Sequence, residues 1–184
     1  SRRQRQMCIR DRYFIVNAYS GHAIDSCEIN TPVKTTPYIR AAANSYSAGK
    51  LTWTAESSGK TDVFYLKASA FSNAYMDVKS ASSTSGAELQ LHAGNKSNAQ
   101  RFQLIEKDDG SFAIYTEASG FKMCLNGQYG DKEIKDRRIV KQSTCDKSKL
   151  YESQKWYFYP VEQTYDKTIA VSYTHLTLPT TSRV

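Results

Sequence analysis

One pattern occurs three times along the chain, and the three copies are spaced by about 50 residues. Each copy contains a short apolar segment that ends in a carboxylate or an amide, at Asp25, Asp77 and Asn126. Each copy closes on an aromatic residue, at Trp53, Phe102 and Trp156. Because one copy has too little apolar surface to form a core alone, the three copies must fold together around a shared core.

Twelve short segments rich in β-branched and aromatic residues lie between clusters of Gly, Ser, Asn and Thr, four in each copy. They occupy residues 13–16, 22–25, 38–40, 50–53, 62–66, 75–78, 88–92, 100–104, 111–115, 121–125, 138–142 and 154–158. No segment has a convincing helical period, and the charged residues 132–138 are interpreted as a solvated loop. The sequence therefore predicts an all-β fold, a β-trefoil with pseudo-threefold symmetry, in which three hairpins cap a six-stranded barrel. Its four-stranded repeats are expected at about 13–58, 59–108 and 109–161.

Both ends of the chain are similar to a translated sequencing adapter, so residues 1–12 and 171–184 are expected to be foreign to the natural protein. Residues 162–170 are interpreted as a linker or as the start of a missing segment of a longer protein. The two ends hold most of the excess charge, in Arg2, Arg3, Arg5, Arg10, Arg12 and Arg183 against Asp11. Without them the net charge falls from +7 (25 basic, 18 acidic residues) to +2 (19 and 17), so nucleic-acid binding is not expected. Membrane insertion is not expected either, because no apolar run approaches the length of a membrane span.

Three tripeptides at the ends of the repeats carry a family resemblance. The third repeat ends in a Q-x-W motif, Gln154-Lys155-Trp156. The second ends in a conservative variant, Gln100-Arg101-Phe102, and the first in a divergent one, Leu51-Thr52-Trp53. Each lies downstream of a strand similar to Leu-Asp, namely Cys124-Leu125-Asn126, Met76-Asp77-Val78 and Ile24-Asp25. From residue 13 to about residue 161 the chain therefore resembles the ricin B-type lectin repeat, which implies a non-catalytic carbohydrate-binding domain.

The second repeat holds the fullest set of residues suited to a sugar. A sugar site needs a carboxylate that accepts hydrogen bonds from two neighbouring hydroxyls, a flat side chain against the C–H face of the ring, and amides that complete the polar fit. The family resemblance implies that Asp77, Gln90 and His92 contact a galactose-like sugar. Asn98 and Gln100 complete the predicted site.

Two positions of this site depart from the family pattern. His92 stands where Trp or Tyr is usual, and Ala99 stands where a sugar-contacting Asn is expected, which leaves Asn98 as its substitute after a small loop shift. Each residue also has a purely structural interpretation. Asp77 can cap the Ser/Thr turn that follows it, and His92 can be an ordinary exposed strand residue.

The other two repeats match the pattern less well. The first keeps Asp25 and offers Tyr38 or Arg40 as the stacking residue, which makes it a second candidate sugar site. The third has Asn126 for the carboxylate and Ser143 near the stacking position, so it is expected not to bind sugar.

The resemblance also implies a disulfide between Cys124 and Cys145, and with it an oxidising, extracellular compartment. The alternative is a pair of reduced thiols in the core. Cys27 has no assigned partner.

No catalytic, cofactor or metal-binding motif is found, because the sequence lacks H-E-x-x-H, C-x-x-C and G-x-S-x-G. The leading hypothesis is therefore a carbohydrate-binding module of a larger secreted protein, with a catalytic or toxin domain as its tethered partner. The alternative is a trefoil that no longer binds sugar and serves as a protein-interaction or structural domain.

Overall fold

The computed structural model describes residues 11–37 and 46–161 and contains thirteen β-strands there. The strands are β1 (Arg12–Asn17), β2 (His22–Asp25), β3 (Lys34–Pro37), β4 (Thr52–Ser57), β5 (Val63–Ala68), β6 (Ala74–Val78), β7 (Leu89–Ala93), β8 (Phe102–Glu106), β9 (Phe112–Thr116), β10 (Met123–Asn126), β11 (Arg138–Ile139), β12 (Lys141–Thr144) and β13 (Trp156–Pro160). The helical segments of the described residues are short 3₁₀ turns, at Tyr46–Leu51, Lys79–Ala81, Asn98–Gln100, Glu117–Ser119 and Glu152–Gln154. The predicted all-β class is confirmed.

Six strands close into a barrel. Antiparallel pairing runs from β1 to β4, β5, β8, β9 and β13, and β13 pairs back onto β1. Six of the other seven strands form three hairpins, β2 with β3, β6 with β7, and β10 with β12, and the short β11 pairs with β3. A six-stranded barrel capped by three hairpins is the predicted β-trefoil.

Most predicted strands overlap an observed strand with ends shifted by a few residues, but two differ from the structure in more than their ends. The third strand of the first repeat lies at Lys34–Pro37, earlier than the predicted 38–40, and residues 38–40 fall outside the described part of the chain. Pro37 ends this strand, where a proline costs no ladder hydrogen bond. The predicted strand 138–142 is divided at Val140, because β11 pairs with β3 whereas β12 pairs with β10.

The three hairpins meet at the pseudo-threefold axis through a ring of backbone hydrogen bonds. The amide of Val33 donates to the carbonyl of Leu89 (3.0 Å), Leu89 donates to Val140 (2.9 Å), and Val140 donates back to Val33 (3.1 Å). The side chains of all three residues are fully buried in the main core. Each hairpin is therefore both donor and acceptor for its neighbours.

The aromatic residues that close the repeats belong to the core, as predicted. Trp53, Phe102 and Trp156 are at most 1% exposed. The indole N–H of Trp53 donates to the carbonyl of Ile24 (3.0 Å), and that of Trp156 donates to Leu125 (3.0 Å). In the first and third repeats, the tryptophan thus ties the end of the repeat to the strand that carries its Asp or Asn.

The predicted disulfide between Cys124 and Cys145 is present and links β10 to the segment that follows β12. Tyr115 and Ala113 pack beside it in a small separate cluster. Cys27 is a free, partly buried thiol. Burial, aided by the neighbouring Asp25 carboxylate, raises the pKa of that thiol, which therefore stays protonated at neutral pH.

We expect Leu89→Ala to lower the free energy of unfolding by about 3 kcal/mol, because it leaves a cavity where the three hairpins meet. Denaturant unfolding measures this cost. Ile134→Ala is the matched control, since Ile134 is 48% exposed, and it should cost less than about 0.5 kcal/mol. Equal costs for the two variants would contradict the central role of Leu89.

Removing the disulfide by Cys124→Ser with Cys145→Ser should lower the free energy of unfolding by about 3 kcal/mol, because the bridge closes a loop of 21 residues. Calorimetric melting of oxidised and reduced protein gives the same comparison without mutation. Cys27→Ser, which removes only a free thiol, is the control and should leave the melting temperature nearly unchanged. Equal melting temperatures for the oxidised and the reduced protein would refute the contribution of the disulfide to stability.

Candidate functional site

The hairpin of the second repeat places Asp77 on β6 directly opposite Gln90 on β7. The amide of Gln90 donates to Asp77 Oδ1 at 3.0 Å. Because side chains alternate along a strand, the sequence predicts that Met76 and Val78 point into the core and that Asp77 points outward. Met76 and Val78 do lie in the core. Asp77 is on the other face of the strand, but the expectation that it is open to solvent needs correction, because the residue is only 4% exposed and its carboxylate is contacted by the amides of Gln90 and Gln100.

Gln100 holds Asp77 from the other side. Its amide nitrogen donates to Asp77 Oδ2 (3.1 Å) and to the carbonyl of Ala93 (2.9 Å). Its carbonyl oxygen accepts from the backbone amides of Asn95 (2.9 Å) and Lys96 (3.3 Å). Gln100 is fully buried, so it orients the carboxylate and the preceding loop and is not itself open to a ligand.

His92 and Asn98 are the more accessible members of the predicted set. His92 lies two residues after Gln90 on β7, on the same face of the hairpin, and its Nδ1 lies 3.0 Å from the carbonyl of Ala93. Asn98 is exposed in the 3₁₀ turn that packs against β6. Ala99, where the family pattern places an Asn, points inward and is 5% exposed. Asn98 is thus the residue of this turn that presents an amide to solvent.

The register identifies the equivalent positions in the first repeat. Lys34 faces Asp25 where Gln90 faces Asp77, and Thr36 corresponds to His92. The proposed stacking residues Tyr38 and Arg40 lie outside the described residues.

Asp25 differs from Asp77 in the charge of its partners. Its Oδ1 accepts from the backbone amide of Cys27 (2.8 Å), and its Oδ2 accepts from Arg137 Nη1 (2.7 Å). A second nitrogen of the same guanidinium lies 3.1 Å from the sulfur of Cys27. A cation therefore neutralises the carboxylate of the first repeat, whereas neutral amides contact that of the second.

The third repeat carries a closed amide network in place of a carboxylate. Asn126 accepts from the backbone amide of Gln128 (2.8 Å) and donates to Ser143 Oγ (3.1 Å). Gln154 donates to the same hydroxyl (3.0 Å) and to the carbonyl of Thr144 (2.9 Å), and it accepts from the amide of Tyr151 (3.1 Å). Gln154 thus braces its repeat as Gln100 does, but no carboxylate lies at its centre.

A family model described as ricin-type beta-trefoil lectin domain-like matches residues 50–142. A comparison with curated protein sequences returns no match. Within the described residues, no helix is long and apolar enough to cross a membrane.

Three solved structures with the same fold share about a fifth of their residues with this chain. The designed threefold-symmetric protein ThreeFoil has a TM-score of 0.67 at 20% identity, covering 80% of this chain and 97% of its own. An exo-beta-1,3-galactanase from Clostridium thermocellum has a TM-score of 0.66 at 18% identity, covering 83% of this chain and 30% of the enzyme. A Polyporus squamosus lectin was solved with the human-type influenza-binding epitope Neu5Acα2-6Galβ1-4GlcNAc. It has a TM-score of 0.62 at 19% identity, covering 83% of this chain and 50% of the lectin chain. At these identities the likenesses show the β-trefoil fold.

Gln100→Ala should lower the free energy of unfolding by about 3 kcal/mol, because it removes two bonds to loop amides and leaves Asp77 Oδ2 buried without its partner. Chemical denaturation provides the measurement. Gln103→Ala, at a partly exposed position of the neighbouring strand β8, should change it by less than about 0.5 kcal/mol. Similar losses for both variants would show that Gln100 is no brace.

Proposed function

The chain belongs to the ricin-type β-trefoil lectin domain-like family, and from this premise we propose that it binds carbohydrate, without catalysis, through a shallow site on its second repeat. The observation that carries the proposal is the contrast among the three repeats. Only Asp77 is a carboxylate whose side-chain partners are neutral amides, whereas Asp25 is paired with Arg137 and Asn126 is itself an amide.

The hydrogen-bonding capacity of Asp77 supports this role. An ionised carboxylate has about four acceptor positions, two on each oxygen. Gln90 occupies one position on Oδ1 and Gln100 one on Oδ2, so each oxygen keeps a second position for a hydroxyl. Two acceptors held by one planar group match two neighbouring hydroxyls of a sugar ring.

His92 and Asn98 would complete the site. The imidazole offers a flat face to the C–H side of the ring, although a smaller one than the Trp or Tyr usual in the family. The exposed amide of Asn98 offers both a donor and an acceptor. Because little of Asp77 is exposed and the stacking face is small, we expect weak binding, with a dissociation constant of about 1 mM, near −4 kcal/mol.

Galactose-like sugars are the ligand class that we propose. The family resemblance of Asp77, Gln90 and His92 favours them, and two similar structures are a galactanase and a lectin bound to a galactose-containing epitope. Useful avidity at millimolar affinity requires several sites or a tethered domain. The chain matches only 30% of the galactanase, which is consistent with a binding module attached to a catalytic partner. The disulfide favours an extracellular location.

A trefoil without sugar binding, acting as a protein-interaction or structural domain, is the second candidate. The ion pair of Asp25 with Arg137 and the closed network around Asn126 favour it, because two repeats lack a free carboxylate. A glycan array followed by titration of the strongest ligand separates the two candidates.

Under the proposed function, Asp77→Asn weakens sugar binding by more than about tenfold, because it removes the charge and half of the acceptor positions at nearly constant volume. His92→Ala should weaken binding by about three- to tenfold through loss of the stacking face. Isothermal titration calorimetry measures both effects, and the melting temperature of His92→Ala should stay unchanged.

Thr36→Ala is the matched control, because Thr36 occupies the position of His92 in the first repeat. It should bind like the wild type. The second candidate would replace the proposal if no sugar bound at high millimolar concentration, or if Asp77→Asn and His92→Ala both bound normally.

A further inference from the structure

The second repeat lacks a disulfide at the place where the third repeat has one. The register pairs Tyr75 with His92 and Cys124 with Ser143, so Tyr75 corresponds to Cys124. One residue beyond the end of each hairpin, Gly94 corresponds to Cys145. The second repeat must therefore hold the segment after β7 by other means.

The ring of Tyr75 fills the space of the missing bridge. A Cβ atom on Gly94 would lie 2.7 Å from Tyr75 Cε2, 3.0 Å from Tyr75 Cδ2 and 2.4 Å from Asn73 Oδ1. These distances leave no room for a side chain while the ring of Tyr75 is in place. Glycine at this position lets the tyrosine ring pack directly on the backbone of the loop.

Lys96, in the same loop, places its ammonium group over two tyrosine rings. Its Nζ lies 4.3 Å from the ring centre of Tyr65 and 5.1 Å from that of Tyr75, and the two rings meet edge to face at 6.2 Å. Both distances are within the range of a cation–π interaction. Both rings are less than 10% exposed, so their faces are shielded from water.

Glu56 joins the ammonium group and the tyrosine. Its Oε2 accepts from the hydroxyl of Tyr75 (2.9 Å) and lies 3.7 Å from Lys96 Nζ. Burial, together with Glu56, raises the pKa of Tyr75 to about 12, so the phenol remains a donor at physiological pH. An exposed Lys–Glu pair alone contributes little, but here the same ammonium group also contacts two shielded aromatic rings.

This cluster is connected to Asp77 through a short series of hydrogen bonds. The backbone amides of Asn95 and Lys96 donate to Gln100, whose amide donates to Asp77. Arg101 Nη1 also donates to the carbonyl of Lys96 (2.7 Å). Lys96 has a φ of +59°, an unfavourable backbone conformation for lysine that its surroundings must maintain.

We infer that Lys96, Tyr65, Tyr75 and Glu56 form a non-covalent clamp that takes the place of the disulfide and positions the loop 94–98 beside the carboxylate of Asp77. Lys96 is thus a positioning residue of the sugar site and does not contact the sugar. The consequence for binding rests on the proposed function, whereas the clamp itself does not. Sugar affinity at the second repeat is accordingly independent of the redox state of Cys124 and Cys145.

Lys96→Met tests the clamp, because it keeps the length of the side chain and removes its charge. Hydrogen exchange of the amides of Asn95 and Lys96 should accelerate by about tenfold, since their bonds to Gln100 open more often. Lys96→Arg, which restores a cation over the rings, should bring exchange back near the wild-type rate. Lys122→Met, at an exposed lysine of the third repeat, is the control and should change neither amide. Unchanged exchange in Lys96→Met overturns the clamp, whether or not any sugar binds.

Calorimetric titration with the sugar identified by the array measures whether Lys96 affects sugar affinity. Lys96→Met should weaken binding by about tenfold, with Lys96→Arg within twofold of the wild type. Faster exchange with unchanged affinity supports the clamp and overturns its role in binding. If the wild type binds no sugar, the proposed function fails, and exchange alone decides whether the clamp exists.

Replacing the clamp by a bridge is the complementary test. Tyr75→Cys combined with Gly94→Cys should form a disulfide on oxidation, because the two positions correspond to Cys124 and Cys145. Oxidised, this variant should bind sugar within about threefold of the wild type, and reduction should weaken binding by about tenfold. Dithiothreitol should leave the affinity of the wild type unchanged. A wild type that loses affinity on reduction, or a double variant indifferent to it, contradicts the inference.

Discussion

The ring of backbone hydrogen bonds among Val33, Leu89 and Val140 is the constraint on which the architecture depends. Each hairpin can satisfy its buried amide and carbonyl only by bonding to the next hairpin, so three hairpins are needed to close the ring. The bonds involve the main chain, and the side chains required are simply apolar. The ring therefore places no demand on the outer positions of each hairpin, which differ among the three repeats.

The three repeats differ in the side chain at one equivalent position and in the groups that contact it. Asp77 is contacted by two neutral amides, Asp25 by a guanidinium, and Asn126 by a serine and a backbone amide. The same scaffold therefore holds a charged acceptor, a neutralised ion pair and an amide network at equivalent sites. Under the proposed function, a difference in sugar binding among the repeats follows from these local partners, not from any change in the fold.

The sequence was sufficient to predict what depends on local pattern and spacing. The threefold repeat, the core aromatics and the hairpin carrying Asp77 and Gln90 follow from short periodic segments. The disulfide was predicted from the family resemblance.

The partner of Asp25 could not be predicted, because Arg137 lies 112 residues away and reaches it only through the pairing of β11 with β3. The burial of Asp77 was missed for a similar reason. Alternation along a strand assigns a face, but it does not reveal that Gln90 and Gln100 cover that face.

The burial of Asp77 bears on function through its cost. A carboxylate that is 4% exposed and has only amide donors among its side-chain partners is poorly compensated for the loss of water. The third repeat shows that the fold does not need a charge there, since Asn126 satisfies the same position with neutral bonds and is also buried, at 9% exposed. Stability alone therefore gives no reason for a carboxylate in the second repeat. Hydrogen bonds from a pair of ligand hydroxyls would supply the missing compensation, and this favours Asp77 as a group whose full set of partners is completed by a sugar.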